Sequence, residues 1–129
     1  MIRQPQTATL CSAQTLTGSA VVQDEDAVSI EGFGLITLTG TVNNATDGAL
    51  VYLYISDSAT APTTNSGLAQ LADPTKVDGT LLELTFPVND KVAHTIRVCG
   101  KWLIAYVKRS GSSSTTTLTL ALKAHATST

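Results

Sequence analysis

Residues 33–56 read FGLITLTGTVNNATDGALVYLYIS, and this stretch decides the class of fold. In its first half, apolar or small residues alternate with threonines at positions 37, 39 and 41, the period of two expected for a β-strand with one buried face. Residues 43–48 contain Asn, Asp and Gly, which favour tight reversals of the chain. Residues 49–55 are apolar on both faces and predict a strand that is either central in a sandwich or packed against a second subunit. The stretch therefore predicts two β-strands that form a hairpin.

The rest of the chain repeats this pattern in short segments between turn residues. Further strands are predicted over residues 7–16, 19–23, 28–30, 80–86, 92–99, 102–109 and 115–124. Gly100 and Lys101 separate two of them and predict a second hairpin. About eight strands, with turn signals every 8–12 residues or so and no long helical pattern, predict an all-β fold. We expect a two-sheet antiparallel β-sandwich of jelly-roll type.

The alternation also predicts the core and the domain boundaries. A chain of 129 residues is expected to form one domain. We expect an N-terminal arm over residues 1–9, a sandwich domain over residues 10–124 and a tail over residues 125–129. The side chains expected to be buried are Leu38, Val51, Leu53, Leu84, Ile96, Val98, Leu118, Leu120 and Leu122.

Composition argues against several classes of function. The formal net charge is -2 and only 14% of residues are charged, against about 25% in ordinary soluble domains, so we expect no nucleic-acid partner, which needs a basic surface. No apolar run approaches the roughly 20 residues of a membrane-spanning helix. Because the N-terminus lacks an apolar signal segment, we expect synthesis in the cytoplasm without export. Cys11 and Cys99 are then expected to be reduced, with a single bridge as the alternative.

Catalytic and metal-binding patterns are not found. The sequence has no GxSxG nucleophile motif, and of its two histidines His94 is expected on an apolar strand face and His125 in the tail. Residues 24–26 are three adjacent carboxylates, but the calcium-loop pattern is absent and an acidic turn is the better interpretation. We therefore expect no enzyme activity, no cofactor and no metal.

The interface candidates are aromatic residues and the arm. Tyr52 and Tyr54 lie on the opposite strand face from Val51 and Leu53, and tyrosine is enriched at subunit contacts. Trp102 is expected in the core. The arm could order on binding, and it supplies the further interface candidates Ile2, Arg3, Pro5 and Thr7.

Three sequence segments carry a resemblance to a known family. These are VSIEGFGLITLTG at residues 28–40, LYISDSA at residues 53–59, and the pair formed by IRV at residues 96–98 with residues 110–124. The pattern resembles small jelly-roll-like β-sandwich proteins in the virions of tailed bacteriophages, of the capsid decoration (cement) type.

The resemblance implies a structural virion protein. Its partner would be the major capsid protein, which it would bind and stabilise on the capsid surface after synthesis in the host cytoplasm. It would also associate with itself, with a trimer favoured. Two alternatives stay open: a tail or head-fibre attachment module that binds a host-surface glycan, and a free-standing carbohydrate-binding domain.

Overall fold

The computed structural model describes residues 6–125, and every regular element in this range is a β-strand. The strands are β1 (Gln6–Thr15), β2 (Val21–Val22), β3 (Val28–Ser29), β4 (Leu35–Asn43), β5 (Ala49–Ser56), β6 (Ala69–Gln70), β7 (Leu84–Phe86), β8 (Lys91–Arg97), β9 (Trp102–Arg109) and β10 (Thr117–His125). No helix of residues 6–125 is long and apolar enough to cross a membrane.

The strands form two antiparallel sheets that pack face to face. One sheet has the order β1-β10-β4-β8. The other has the order β2-β9-β5-β6, with β3 also paired to β9 and β7 also paired to β5. If β2 with β3 and β6 with β7 are counted as two interrupted strands, each layer has four strands. This arrangement confirms the predicted all-β sandwich and has the strand order of an eight-stranded jelly roll.

Both predicted hairpins are wrong. β4 and β5 lie in different sheets, and so do β8 and β9. At each predicted turn the chain passes from one sheet to the other, so the two strands belong to opposite layers and share no hydrogen bonds. Turn residues show where a chain reverses and do not show whether the next strand pairs with the last or packs over it.

The corner between β8 and β9 shows why glycine is needed there. Gly100 has a φ of 151°, a conformation that other residues rarely adopt. A side chain at this position would also overlap Ile55 of β5. The Lys101 N–H donates to the Ser56 carbonyl oxygen at 3.0 Å, which fixes the corner against the end of β5.

The core lies between the sheets and matches most of the predicted set. Eight of the nine residues expected to be buried are buried, whereas Ile96 is half-buried because it lies on the outermost strand β8. Phe86 fills the space above Gly40, where a Cβ atom would overlap its ring. The glycine in the alternating stretch therefore accommodates an aromatic side chain from the opposite layer.

The domain boundaries differ from the expected ones. Residues 6–9, assigned to the N-terminal arm, belong to β1, where Gln6 pairs with Ala124 and Thr7 with Lys123. His125, assigned to the tail, is the last residue of β10. The strand predicted over residues 7–16 already includes three of these four residues, so the expected arm boundary at residue 9 is the part of the prediction that is wrong. Residues 1–5 and 126–129 lie outside the described part of the chain.

Replacement of Leu120 by alanine tests the core. Leu120 is fully buried in the central strand β10, paired with Cys11 on one side and Gly40 on the other. Leu120→Ala is expected to lower the free energy of unfolding by about 2–5 kcal/mol, because it removes buried methyl groups and leaves a cavity. The measurement is urea unfolding. Thr119→Ala on the exposed face is the control and should change stability by less than about 1 kcal/mol. Equal effects of the two substitutions would contradict the assignment of strand faces.

Candidate interaction surface

Tyr52 and Tyr54 lie on the outer face of the six-stranded sheet. Along β5, Ala49, Val51 and Leu53 are buried in the core, while both tyrosines are half-buried on the opposite side. Cross-strand pairing places Tyr52 beside Tyr106 of β9. The alternation read from the sequence therefore places these two interface candidates correctly on one solvent-facing surface.

A hydrogen bond to a carboxylate holds the Tyr52 hydroxyl. It donates to Glu83 Oε2 at 2.6 Å. Partial burial raises the pKa of Tyr52 from 10.0 to about 12, and the hydrogen bond to Glu83 and the negative charge of that carboxylate act in the same direction. The phenol is therefore neutral throughout the physiological range and presents an oriented hydroxyl at the surface.

The other aromatic residues of this face anchor a loop. The rings of Tyr54 and Tyr106 meet edge to face, with 5.4 Å between their centroids. The Asn65 N–H donates to the Tyr106 hydroxyl at 3.0 Å, and Trp102 Nε1 donates to the Ser58 carbonyl oxygen at 3.1 Å. The expectation of a core Trp102 is wrong, since it lies half-buried on the outer face, where it holds residues 57–68 against the sheet.

The two tyrosines border a shallow cleft of about 530 Å³. Its apolar part includes Leu81, which is 52% exposed although it is a large aliphatic residue. The lining residues are Ala20, Tyr52, Tyr54, Gln70, Thr80, Leu81, Glu83 and Lys108. Sequence reasoning did not select Leu81, Gln70 or Lys108, because they come from three separated segments and no local pattern links them.

Thr7, the only arm candidate among the described residues, lies far from the tyrosines in the fold. It is exposed on β1 of the four-stranded sheet, whereas Tyr52 and Tyr54 are on the outer face of the other sheet. The described structure therefore does not bring Thr7 and the tyrosines into one surface. Ile2, Arg3 and Pro5 lie outside residues 6–125.

The acidic turn and the histidines have structural partners. Asp24 Oδ1 accepts a hydrogen bond from the Ser12 N–H at 3.0 Å, which ties the turn to β1. His94 Nε2 lies 3.0 Å from the Thr85 carbonyl oxygen, and its ring packs edge-on against Phe86 with 5.0 Å between centroids. His125 Nε2 lies 3.3 Å from Thr37 Oγ1. Within residues 6–125, no group of three or more His, Cys, Asp or Glu side chains has the geometry of a metal site.

The two cysteines differ in environment and are not bonded to each other. Cys11 is buried, and this burial raises the pKa of its thiol from 9.0 to about 12, with a further contribution from the negative charge of Asp24. Cys99 is exposed just beyond the end of β8. Only Cys99 is positioned to react with solutes in the folded protein.

Comparison with known proteins identifies a fold and no family. No protein-family model matches the chain, and no curated protein matches it significantly. Among solved structures, the chain is similar to one from Bacillus endospore appendages, described as a novel family of disulfide-linked pili. The TM-score is 0.52 at 13% identity, over 96% of this chain and 89% of that chain. At this identity the similarity establishes the β-sandwich fold alone.

A spectroscopic pH titration tests the environment of Tyr52. The raised pKa means that the folded state favours the neutral phenol, so this stabilisation is complete below pH 10 and is lost as the pH rises to about 12. Tyr52→Phe should remove the phenol that ionises near pH 12, and Glu83→Gln should lower its pKa because the nearby negative charge is gone. An unchanged titration curve for Glu83→Gln would show that the carboxylate has no influence on Tyr52.

Thiol titration tests the two cysteines. In the native protein at pH 8, we expect Cys99 to react quickly with a disulfide reagent and Cys11 to react only after unfolding. Under denaturing, non-reducing conditions both thiols should be found. Cys99→Ser should remove the fast phase and leave the slow one. Absence of both thiols from the denatured protein would show that they are oxidised.

Proposed function

We propose that this protein is a non-catalytic structural subunit, a capsid decoration protein that binds the major capsid protein on the virion surface and stabilises the shell. The observation that carries the proposal is the surface formed by Tyr52, Tyr54 and Leu81. It combines two half-buried tyrosines with an exposed leucine on a rigid sheet. Tyrosine is characteristic of protein contacts and of the residues that dominate their affinity.

The low charge of the chain favours association through shape complementarity and apolar contacts. With a net charge of -2 and few charged residues, electrostatic steering contributes little to association. Rigid aromatic side chains lose little entropy when they are buried, so a pre-ordered face gives affinity efficiently. Repeated binding to equivalent shell sites by a homo-oligomer, with a trimer favoured, would raise the effective concentration of each contact. The proposed location is the capsid surface after synthesis in the host cytoplasm, without nucleic-acid, membrane or cofactor partners.

Two observations favour other functions. The similarity to a pilus subunit favours a filament-forming protein, in which the exposed Cys99 could link neighbouring copies. The cleft beside the tyrosines combines aromatic rings with Gln70, Glu83 and Lys108, a set that also suits a sugar. This second observation favours a tail or head-fibre attachment module, or a free-standing carbohydrate-binding domain.

Heating of capsid shells with and without the protein tests the proposal. Bare shells should open at a lower temperature than coated shells, and adding back the purified protein should restore the difference. The double variant Tyr52→Ser with Leu81→Ser should bind shells at least about 10-fold more weakly, because it removes central apolar contacts. Thr41→Ser, on the outer face of the other sheet, is the control and should bind normally.

Two results would contradict the proposal, and each would support one of the other functions. If bare and coated shells open together and the protein is retained on a host polysaccharide column, the attachment function takes its place. If the protein alone forms filaments held by reducible bonds through Cys99, the appendage function takes its place.

A further inference from the structure

The four-stranded sheet ends in two strands with free edges. Within residues 6–125, β1 pairs only with β10 and β8 pairs only with β4. Unpaired strand edges present rows of N–H and C=O groups that can pair with another chain. Each of these two edges can therefore form hydrogen bonds with a strand of another chain.

The edge of β8 is open along its length. The Val98 N–H donates to the Gly34 carbonyl oxygen at 3.0 Å, just beyond the strand. This bond makes Val98 and Gly34 a hydrogen-bonded pair, and such pairs alternate along an antiparallel ladder. Ala93 and Thr95 lie an odd number of residues from Val98, so their backbone N–H and C=O groups point away from β4. Beside this edge lies a groove of about 440 Å³ between β8 and residues 71–75, where His94 and Ile96 line the wall.

The edge of β1 is open over its first part only. Glu25 donates its N–H to the Leu10 carbonyl oxygen at 3.2 Å, and the Ser12 N–H donates to the side chain of Asp24. The acidic turn thus occupies the edge from residue 10 onward. Residues 6–9 keep a free edge among the described residues, and the same alternation points the backbone groups of Thr7 and Thr9 outward.

The directions of the two edges match. Every pair of neighbours in this sheet is antiparallel, so β1 and β8, three places apart, also run in opposite directions. If a second copy continues the sheet in the same orientation, its β1 runs antiparallel to β8 of the first copy. The faces also match. Thr7 pairs with Lys123, Lys123 pairs with Thr37, and Thr37 pairs with Thr95. Thr7 and Thr95 therefore lie in one row across the outer face of the sheet.

The charges of the two edges are complementary. β8 carries the exposed cations Lys91 and Arg97 at its two ends. The free part of β1 borders a cleft lined by Glu25 and Asp26, which lie near its residue-10 end. In an antiparallel pairing this acidic end meets Lys91, whereas Arg97 lies at the residue-6 end. Pairing of β8 with β8 of a second copy would instead place Lys91 opposite Arg97 and repel, so unlike edges are favoured over like ones.

We propose that copies of this chain associate head to tail, with residues 6–9 of one copy paired antiparallel to β8 of the next. The contact specifies the self-association that is part of the proposed function, and it uses a surface separate from the tyrosines. A contact between two different patches closes into a ring where the rotation between copies allows it and otherwise extends as a filament. The four-stranded sheets of successive copies would form one continuous sheet.

Proline substitutions test this pairing. Thr95→Pro removes an N–H from the free edge of β8, and Thr7→Pro does the same on β1, while the ladders within the sheet keep their hydrogen bonds. Thr95→Ala and Thr7→Ala are the matched controls, since they keep the N–H. In sedimentation experiments over a range of concentration, the native chain and both alanine variants should form oligomers, and each proline variant alone should be a monomer.

Mixing the two proline variants gives the decisive result. Thr95→Pro keeps a competent β1 and Thr7→Pro keeps a competent β8, so the mixture should form a one-to-one dimer and nothing larger. Formation of this dimer also shows that both variants are folded. A monomeric native chain, oligomers that persist in the proline variants, or a mixture that stays monomeric would each overturn the proposal.

Charge reversal provides an independent test. Lys91→Glu should weaken oligomers of the native chain, and adding Glu25→Lys with Asp26→Lys to the same chain should restore them. Failure of the added pair to restore association would overturn the assignment of the two edges. Shell binding by the monomeric Thr95→Pro variant tests the proposed function separately, since its tyrosine surface is unchanged.

Discussion

The pairing of β10 between β1 and β4 is the interaction on which the rest of the structure depends. β10 bonds to β1 on one side and to β4 on the other, and both of these strands lie far from it in the sequence. Its inward residues Leu118, Leu120 and Leu122 are buried in the centre of the core. The four-stranded sheet can therefore close only when residues 117–125 have reached β1 and β4, and such non-local pairing is slow to form.

Closure of this sheet leaves two outer faces of different character. The face of the four-stranded sheet is rich in threonine, because the outward positions of β4 and β10 include Thr37, Thr39, Thr41, Thr117 and Thr119. The face of the other sheet carries the aromatic residues, of which Trp102 and Tyr106 are used to hold a loop. Tyr52 and Tyr54 are then left beside a cleft. Because of this asymmetry, the proposed contact with a partner protein is placed on the aromatic face.

The two edges of the four-stranded sheet differ in charge. Lysine and arginine on an edge strand usually prevent indiscriminate pairing. In the proposed contact between copies, Lys91 and Arg97 of β8 would disfavour a second β8, and Lys91 would meet an edge flanked by carboxylates. The short acidic segment at residues 24–26 thus has two effects. It closes half of the β1 edge through backbone contacts, and it gives the open half a negative border.

The sequence by itself determined the fold class, most of the strands and most of their buried faces, because alternation with a period of two is a local property that the inward leucines of β10 display clearly. It did not predict the two-residue strand β6 or the outward position of Trp102. It also placed Tyr52 and Tyr54 on a surface away from the core. The tertiary structure decided which strands are neighbours: both reversals that resembled hairpins cross between sheets, and β10 lies between β1 and β4. It also placed Leu81, Glu83 and Lys108 beside the tyrosines and gave the sheet one basic and one acidic edge. These features depend on contacts between distant segments, which no local pattern of residues encodes.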